Sequence, residues 1–206
     1  MTLFRLDASH RTEGSVSRAL ADAVEQSWRS AHPSAAVVRR DLRTDPVRVE
    51  DWYGVLSGDG EAAARGTALA DELVSADGFL LAVPLYNFGV AGPVKAWLDL
   101  VLTDPRFAPG QQPLAGRPAV LVTSRGGGYA EGTPRHGWDH STPYLRRILS
   151  DVWGLELEVV EAELTLAEST PAMAGLLDLA KQSRADAEAA AVAHGRALGE
   201  RLRTAA

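Results

Sequence analysis

Three short stretches of the chain carry residue types that could bind and orient a ligand. The first, Asp7–Arg18, reads DASHRTEGSVSR, with Ser9, Ser15 and Ser17 around the expected start of a helix at Val16. A helix N-terminus leaves backbone N–H groups without partners and carries a partial positive charge, so it receives anions. Serine hydroxyls add donors without adding charge. N-capping alone would account for one serine; three within nine residues, with Gly14 among them, point to a phosphate. The segment is neither a GxGxxG fingerprint nor a GxxxxGK[ST] loop, and those absences favour a single phosphate.

The second stretch, Val83–Lys95, reads VPLYNFGVAGPVK. It places Pro84, Leu85, Tyr86, Asn87 and Phe88 just beyond an apolar run. An aromatic or apolar wall with an amide at its edge suits a flat heterocycle. The same residues would also serve as a plain turn with core aromatics. The third stretch, Thr123–Gly128, reads TSRGGG. Gly126 and Gly127 would let a ligand come close to the backbone beside Ser124. Arg125 reads either as a solvated loop charge, the favoured alternative, or as a contact to the ligand. His136 and His140 flank Trp138 and Asp139 in a Gly/His/Pro loop. They read as a solvated segment covering the site rather than as a metal centre, and no metal is expected.

These stretches need a scaffold that brings them together. Strand-like runs at Thr2–Leu6, Ala35–Leu42, Gly78–Pro84, Pro118–Ser124 and Leu155–Ala162 alternate with helical periodicity at Ser15–Ala31, Glu61–Ala76, Pro93–Leu102, Pro143–Val152 and Ala172–Arg203, the last interrupted near Ser183. Pro46–Asp59 reads as turn-rich, with Trp52 and Tyr53 inside it. The order implies an α/β doubly wound five-stranded parallel sheet with helices on both faces, and 206 residues fit one domain, 1–206. In such sheets ligands sit beyond the carboxyl ends of the strands. Those ends are where the three stretches lie.

Bulk properties narrow the chemistry further. There are no cysteines, which removes thiolate catalysis and Cys-based metal sites, so redox work would need a bound cofactor. Net charge is -6, which argues against nucleic acid or an anionic membrane as partner. No apolar run is long enough to span a bilayer and no signal peptide is visible, so the cytoplasm is the expected compartment.

Together the motifs resemble the FMN-dependent NADH-azoreductase family and the related NAD(P)H quinone reductases, which are flavodoxin-like. The match comprises Ser9, Ser15 and Ser17 at S-x5-S-x-S spacing, Pro84–Gly89 with Lys95-Ala96-Trp97-Leu98-Asp99, Ser124–Gly127, and Thr142-Pro143-Tyr144-Leu145. The resemblance implies that Ser9, Ser15, Val16 and Ser17 hold the FMN phosphate. It implies that Pro84–Phe88 line the isoalloxazine, with Asn87 at its edge, and that Ser124–Gly127 close the other side. It further implies NADH or NADPH as donor, a small conjugated acceptor, ping-pong turnover, and a homodimer with active sites at the interface. Exposed aromatics such as Trp52, Tyr53 and Trp138 would suit that interface, although each would also suit a core.

The chain departs from the family on the substrate side. Arg106-Phe107-Ala108-Pro109 replaces a longer aromatic run, leaving Phe107 as its only aromatic, and Tyr129 follows an additional glycine. Tyr129 reads as a proton donor to the acceptor or as simple packing. A tailoring flavoenzyme acting on one metabolite, and a flavin-bound electron carrier, are the alternative functions.

Overall fold

A computed structural model describes residues 1–204. Two runs without a charged residue, β3 (Gly78–Ala82) and β4 (Pro118–Ser124), are buried along their whole length, as strands covered on both faces must be. They pair in parallel with each other, and β1 (Thr2–Asp7), β2 (Ala36–Asp41) and β5 (Glu156–Ala162) complete one sheet in the order β2-β1-β3-β4-β5. Crossing from β1 to β3 reverses the winding, so the loops after these two strands diverge and open a crevice between them. The expected α/β fold is therefore present, with all strands parallel.

One face of the sheet carries α1 (Val16–Ala31) and α6 (Leu177–Thr204). Leu20, Val24 and Trp28 of α1 bury at helical spacing against Leu3, Leu80, Val120 and Val122. Gly195 lets α6 lie directly on α1, because a Cβ there would collide with the Val24 carbonyl. α6 runs without a break at Ser183, contrary to the sequence expectation; that hydroxyl points away from its own helix and accepts the Glu163 N–H at 2.9 Å.

The other face carries α2 (Val49–Leu56), α3 (Gly60–Val74), α4 (Gly92–Val101) and α5 (Thr142–Arg146) over a core of Phe4, Phe79, Trp97 and Trp153. α2 corrects the turn-rich reading of Pro46–Asp59. Its glycine, Gly54, is a contact point rather than a helix breaker: a Cβ there would come within 2.9 Å of Ala62 on α3. α5 continues into a π-helical stretch, Arg147–Val152. The widened turn keeps Leu145, Leu149 and Trp153, each four residues apart, buried on one side.

Candidate functional site

The buried end of β1 sets the first loop. Arg5 is 2% exposed and reaches Asp7 at 3.0 Å, Asp22 at 2.7 Å and Glu25 at 2.9 Å, which ties the strand to α1. Arg18 then braces the loop from below. It donates to the Ser9 carbonyl at 2.8 Å and the Arg11 carbonyl at 3.0 Å, and pairs with Asp41 at 2.7 Å. The Arg18 guanidinium holds the Asp41 carboxyl below its ordinary range. Gly14, at φ 64°, turns the chain into α1.

At that helix start Ser15 is the N-cap, but its hydroxyl is 3.4 Å from the Arg18 N–H and 3.3 Å from the Ser17 hydroxyl. Both are long bonds, and the N–H groups of Val16 and Ser17 make none among the described residues. Ser17 is fully buried, so its N–H is an orphaned interior donor. Such a cluster of unmatched donors suits a phosphate. Ser9 belongs to the same loop; its hydroxyl accepts the Arg11 N–H and lies 3.4 Å from the Tyr86 hydroxyl.

The second loop is held in a strained form. Val83 and Leu85 continue the ladder to Val122 and Ser124 on either side of Pro84, which has no N–H to offer. The chain then reverses through Asn87 (φ 48°) and Phe88 (φ 66°), closed by Gly89 N–H to the Tyr86 carbonyl at 3.0 Å. Two consecutive left-handed non-glycine residues cost on the order of 1–3 kcal/mol each. Asn tolerates that region; Phe does not. The conformation turns Phe88 outward, edge-on to Trp138 with ring centroids 5.5 Å apart. Tyr86 turns the other way, its hydroxyl 2.8 Å from His10 Nδ1, and links the second loop to the first.

The third loop corrects the expectation for Arg125. Arg125 is neither solvated nor turned into the cleft: it is 6% exposed and pairs with Glu161 (2.7 Å), Asp139 (2.8 Å) and Glu163 (3.1 Å). Burial opposes the charge on Arg125, and those three carboxylates outweigh it and raise its pKa. The inward faces of Gly126 and Gly127 are covered by Leu166 and by the Arg135 guanidinium, with which a Cβ would collide. On the side a Cβ would take, the glycines make room for those flexible side chains, while both still line the cleft.

The three loops enclose one cleft of about 400 Å³, within the usual range for small-molecule sites. Ser9, Ser15, Val16, Pro84–Phe88, Ser124, Gly126, Gly127 and Tyr129 line it, as expected from the sequence. Ser17 and Arg125 stand behind it. Phe107 does not reach it at all: the ring is fully buried against Trp153 at 5.2 Å, so it belongs to the core and not to the substrate side. Asp139 is engaged by Arg125 and by Thr142 and is no partner for a metal between His136 and His140. Sequence reasoning missed His10, Arg11, Arg135, Thr165 and Leu166, which also line the cleft. Thr165 and Leu166 had a signal, since they follow β5 at the same edge of the sheet. No lining residue is acidic, although the chain as a whole carries -6.

A family model described as a flavodoxin-like fold matches residues 1–187. A curated protein of Frankia casuarinae, named FMN-dependent NADH:quinone oxidoreductase, is 39% identical over 92% of this chain and 96% of its own length. One of the same name from Streptomyces avermitilis is 37% identical over 98% of each. The chain thus belongs to the flavodoxin-like family that includes these quinone reductases. Among solved structures, an azoreductase from Bacillus anthracis superposes with a TM-score of 0.77 at 18% identity, covering 95% of this chain and 99% of that one. An FMN-dependent NADH-azoreductase from the same species, solved in complex with FMN, gives 0.71 at 17%, covering 92% and 97%. At those identities the likeness is one of fold.

The amide of Asn87 separates a binding role from a turn role. Asn87→Asp keeps a residue that tolerates positive φ, so thermal stability should stay within about 0.5 kcal/mol. Flavin affinity should fall by roughly tenfold, the equivalent of one lost bond of about 1.5 kcal/mol. Equal flavin affinity in the variant, measured by fluorescence titration, would assign Asn87 to the turn alone.

Proposed function

We propose that this protein is an FMN-dependent oxidoreductase that takes hydride from NADH or NADPH and reduces quinones or azo compounds in a ping-pong cycle. The observation that carries this is the acid-free cleft at the β1/β3 crevice, with unmatched donors of the α1 N-terminus at one end and an apolar wall at the other. The names of the relatives at 37–39% identity support the same reading.

In this reading Ser15 and the N–H groups of Val16 and Ser17 hold the phosphate, while Ser9 and Arg18 keep the loop in shape. Pro84 and Leu85 form one wall for the ring system, and Asn87 meets its edge. Gly127 and Tyr129 bound the side where nicotinamide and acceptor take turns. FMN held there would supply the two-electron redox chemistry by which a quinone plus NADH and a proton becomes a hydroquinone plus NAD⁺. Tyr129, half-buried at the rim, is placed to give a proton to the acceptor. No nucleophile is required.

We further read the protein as one cytosolic domain that works as a homodimer. Tyr53 and Trp138 are more than half exposed, and Leu56 is 66% exposed, a cost that a covering subunit would offset. Among the described residues no helix is long and apolar enough to cross a membrane.

The purified protein should be yellow. Without air, NADH or NADPH should bleach it, and a quinone should restore the colour. Bleaching by neither nicotinamide would rule out the reductase. The removal of Phe107 from the substrate side favours keeping the tailoring enzyme as a second reading. Comparable turnover of several unrelated quinones would dismiss it.

A further inference from the structure

We propose that Arg135 makes the cleft selective for an incoming molecule that carries an oxyanion beside a flat ring. Carboxylate, sulfonate and diphosphate share the chemistry that would be recognised. The inference rests on the oxidoreductase reading and names what its second substrate position accepts.

Two of the arginines around the site are committed to carboxylates, and two lining ones, Arg11 on the phosphate loop and Arg135, are not. Arg18 is committed to Asp41, and Arg125 to Glu161, Glu163 and Asp139. Arg135 is exposed, and among the described residues its guanidinium makes no hydrogen bond or ion pair. A solvated loop charge would point outward. Arg135 instead lies across Gly127 on the cleft wall, in the place a Cβ of Gly127 would take.

Its position is fixed by the segment that carries it. The Trp138 N–H donates to the Arg135 carbonyl at 3.0 Å, and the His140 N–H donates to the Phe88 carbonyl at 2.9 Å, which seats the segment on the strained turn. Trp138 and Phe88 then stand edge to face at the rim. A planar fork of donors next to an aromatic rim, in a cleft without carboxylates, matches a flat ring bearing an anionic substituent. The guanidinium lies against the Gly127 backbone and has no carboxylate partner among the described residues to release.

The test uses the FMN-loaded protein and two redox-inert ligands of one ring size, 2-naphthalenesulfonate and neutral 2-naphthamide, with NAD⁺ as a third. Dissociation constants come from isothermal titration. The wild type should prefer the sulfonate, and R135Q should reduce that preference by tenfold or more. G127A should reduce it too, because the methyl displaces the guanidinium while the backbone at Gly127, not left-handed, accepts alanine. Lost sulfonate preference with unchanged NAD⁺ binding assigns the oxyanion to the acceptor. Weakened NAD⁺ binding with unchanged preference assigns it to the donor's diphosphate. If R135Q alters neither, the proposal is overturned. A wild-type protein that binds no FMN would instead fail the oxidoreductase reading, so the two failures are distinct.

Discussion

Ser15→Asp should yield a folded, colourless protein. Aspartate is as good an N-cap as serine, and a carboxylate at a helix N-terminus is favoured by the dipole, so α1 should keep its start. The same carboxylate would occupy the donors meant for the phosphate and repel it. Two unit charges about 4 Å apart at an effective dielectric near 20 oppose each other by about 4 kcal/mol, roughly a thousandfold in affinity. Ser15→Ala should be milder in binding and worse in folding, losing about 1 kcal/mol of capping. Fluorescence titration with FMN, paired with thermal melts of the flavin-free forms, separates the two. A yellow Ser15→Asp protein would move the phosphate elsewhere. Ser17 is the weaker choice for this substitution, because it is fully buried behind Ser15 and a larger side chain there would disturb packing.

The second large effect is expected at Arg125. Arg125→Met keeps most of the buried stem and leaves Asp139, Glu161 and Glu163 together without their cation. Breaking a buried pair from one side costs about 3–5 kcal/mol; the low end applies because the Glu161 side chain is 41% exposed. For a chain of this length about 3 kcal/mol corresponds to a loss of roughly 6–12 °C in melting temperature. The sign of the pH dependence follows from Asp139. Burial would raise its pKa, but the Thr142 N–H and hydroxyl, Arg125 and the Ser141 N–H together hold it below the ordinary value. Its contribution in the wild type is therefore present above the unfolded carboxylate pKa, near 4, and is lost as pH falls through the lower folded value. In Arg125→Met the cation that helps hold Asp139 down is gone and three carboxylates face one another, so the deficit against wild type is largest at neutral pH and shrinks toward pH 4.5. Melts at pH 7.5 and 4.5 measure this. An equal deficit at both would mean that lost packing, not charge, is responsible.

The sheet and the first two loops were legible in the sequence because their signals are local. GFLLA and PAVLVTS read as strands buried on both faces, and the serines around Val16 announce a helix start that can receive an anion. What was not legible depends on partners distant in sequence. Arg125 resembles a loop charge until Glu161 and Glu163, nearly forty residues on, close over it. Phe107 reads as a substrate-side aromatic until Trp153 packs on its face. Pro46–Asp59 reads as turn-rich until α2 forms with Gly54 against Ala62, and Ser183 as a helix break until Glu163 donates to it. Arg135 offers no signal at all, since only the bare face of Gly127 gives its guanidinium a place in the cleft.

The hydrogen bonds of the third loop have a consequence for redesign. Between Ala130 and Trp138 every backbone donor that finds a partner finds it inside the segment: Thr133 to Ala130, His136 to Thr133, Trp138 to Arg135. The backbone ties to the rest of the protein lie outside that stretch, at Tyr129 and His140, and inside it only side chains reach out: Thr133 to the Gly128 carbonyl, Arg135 over Gly127 and Trp138 against Phe88. The backbone of these nine residues thus behaves as a cassette anchored at its two ends. Apart from Thr133 and Trp138, which hold the segment against Gly128 and Phe88, its side chains can be exchanged, and the range of molecules admitted to the cleft retuned, while the sheet beneath and the phosphate loop opposite keep their shape.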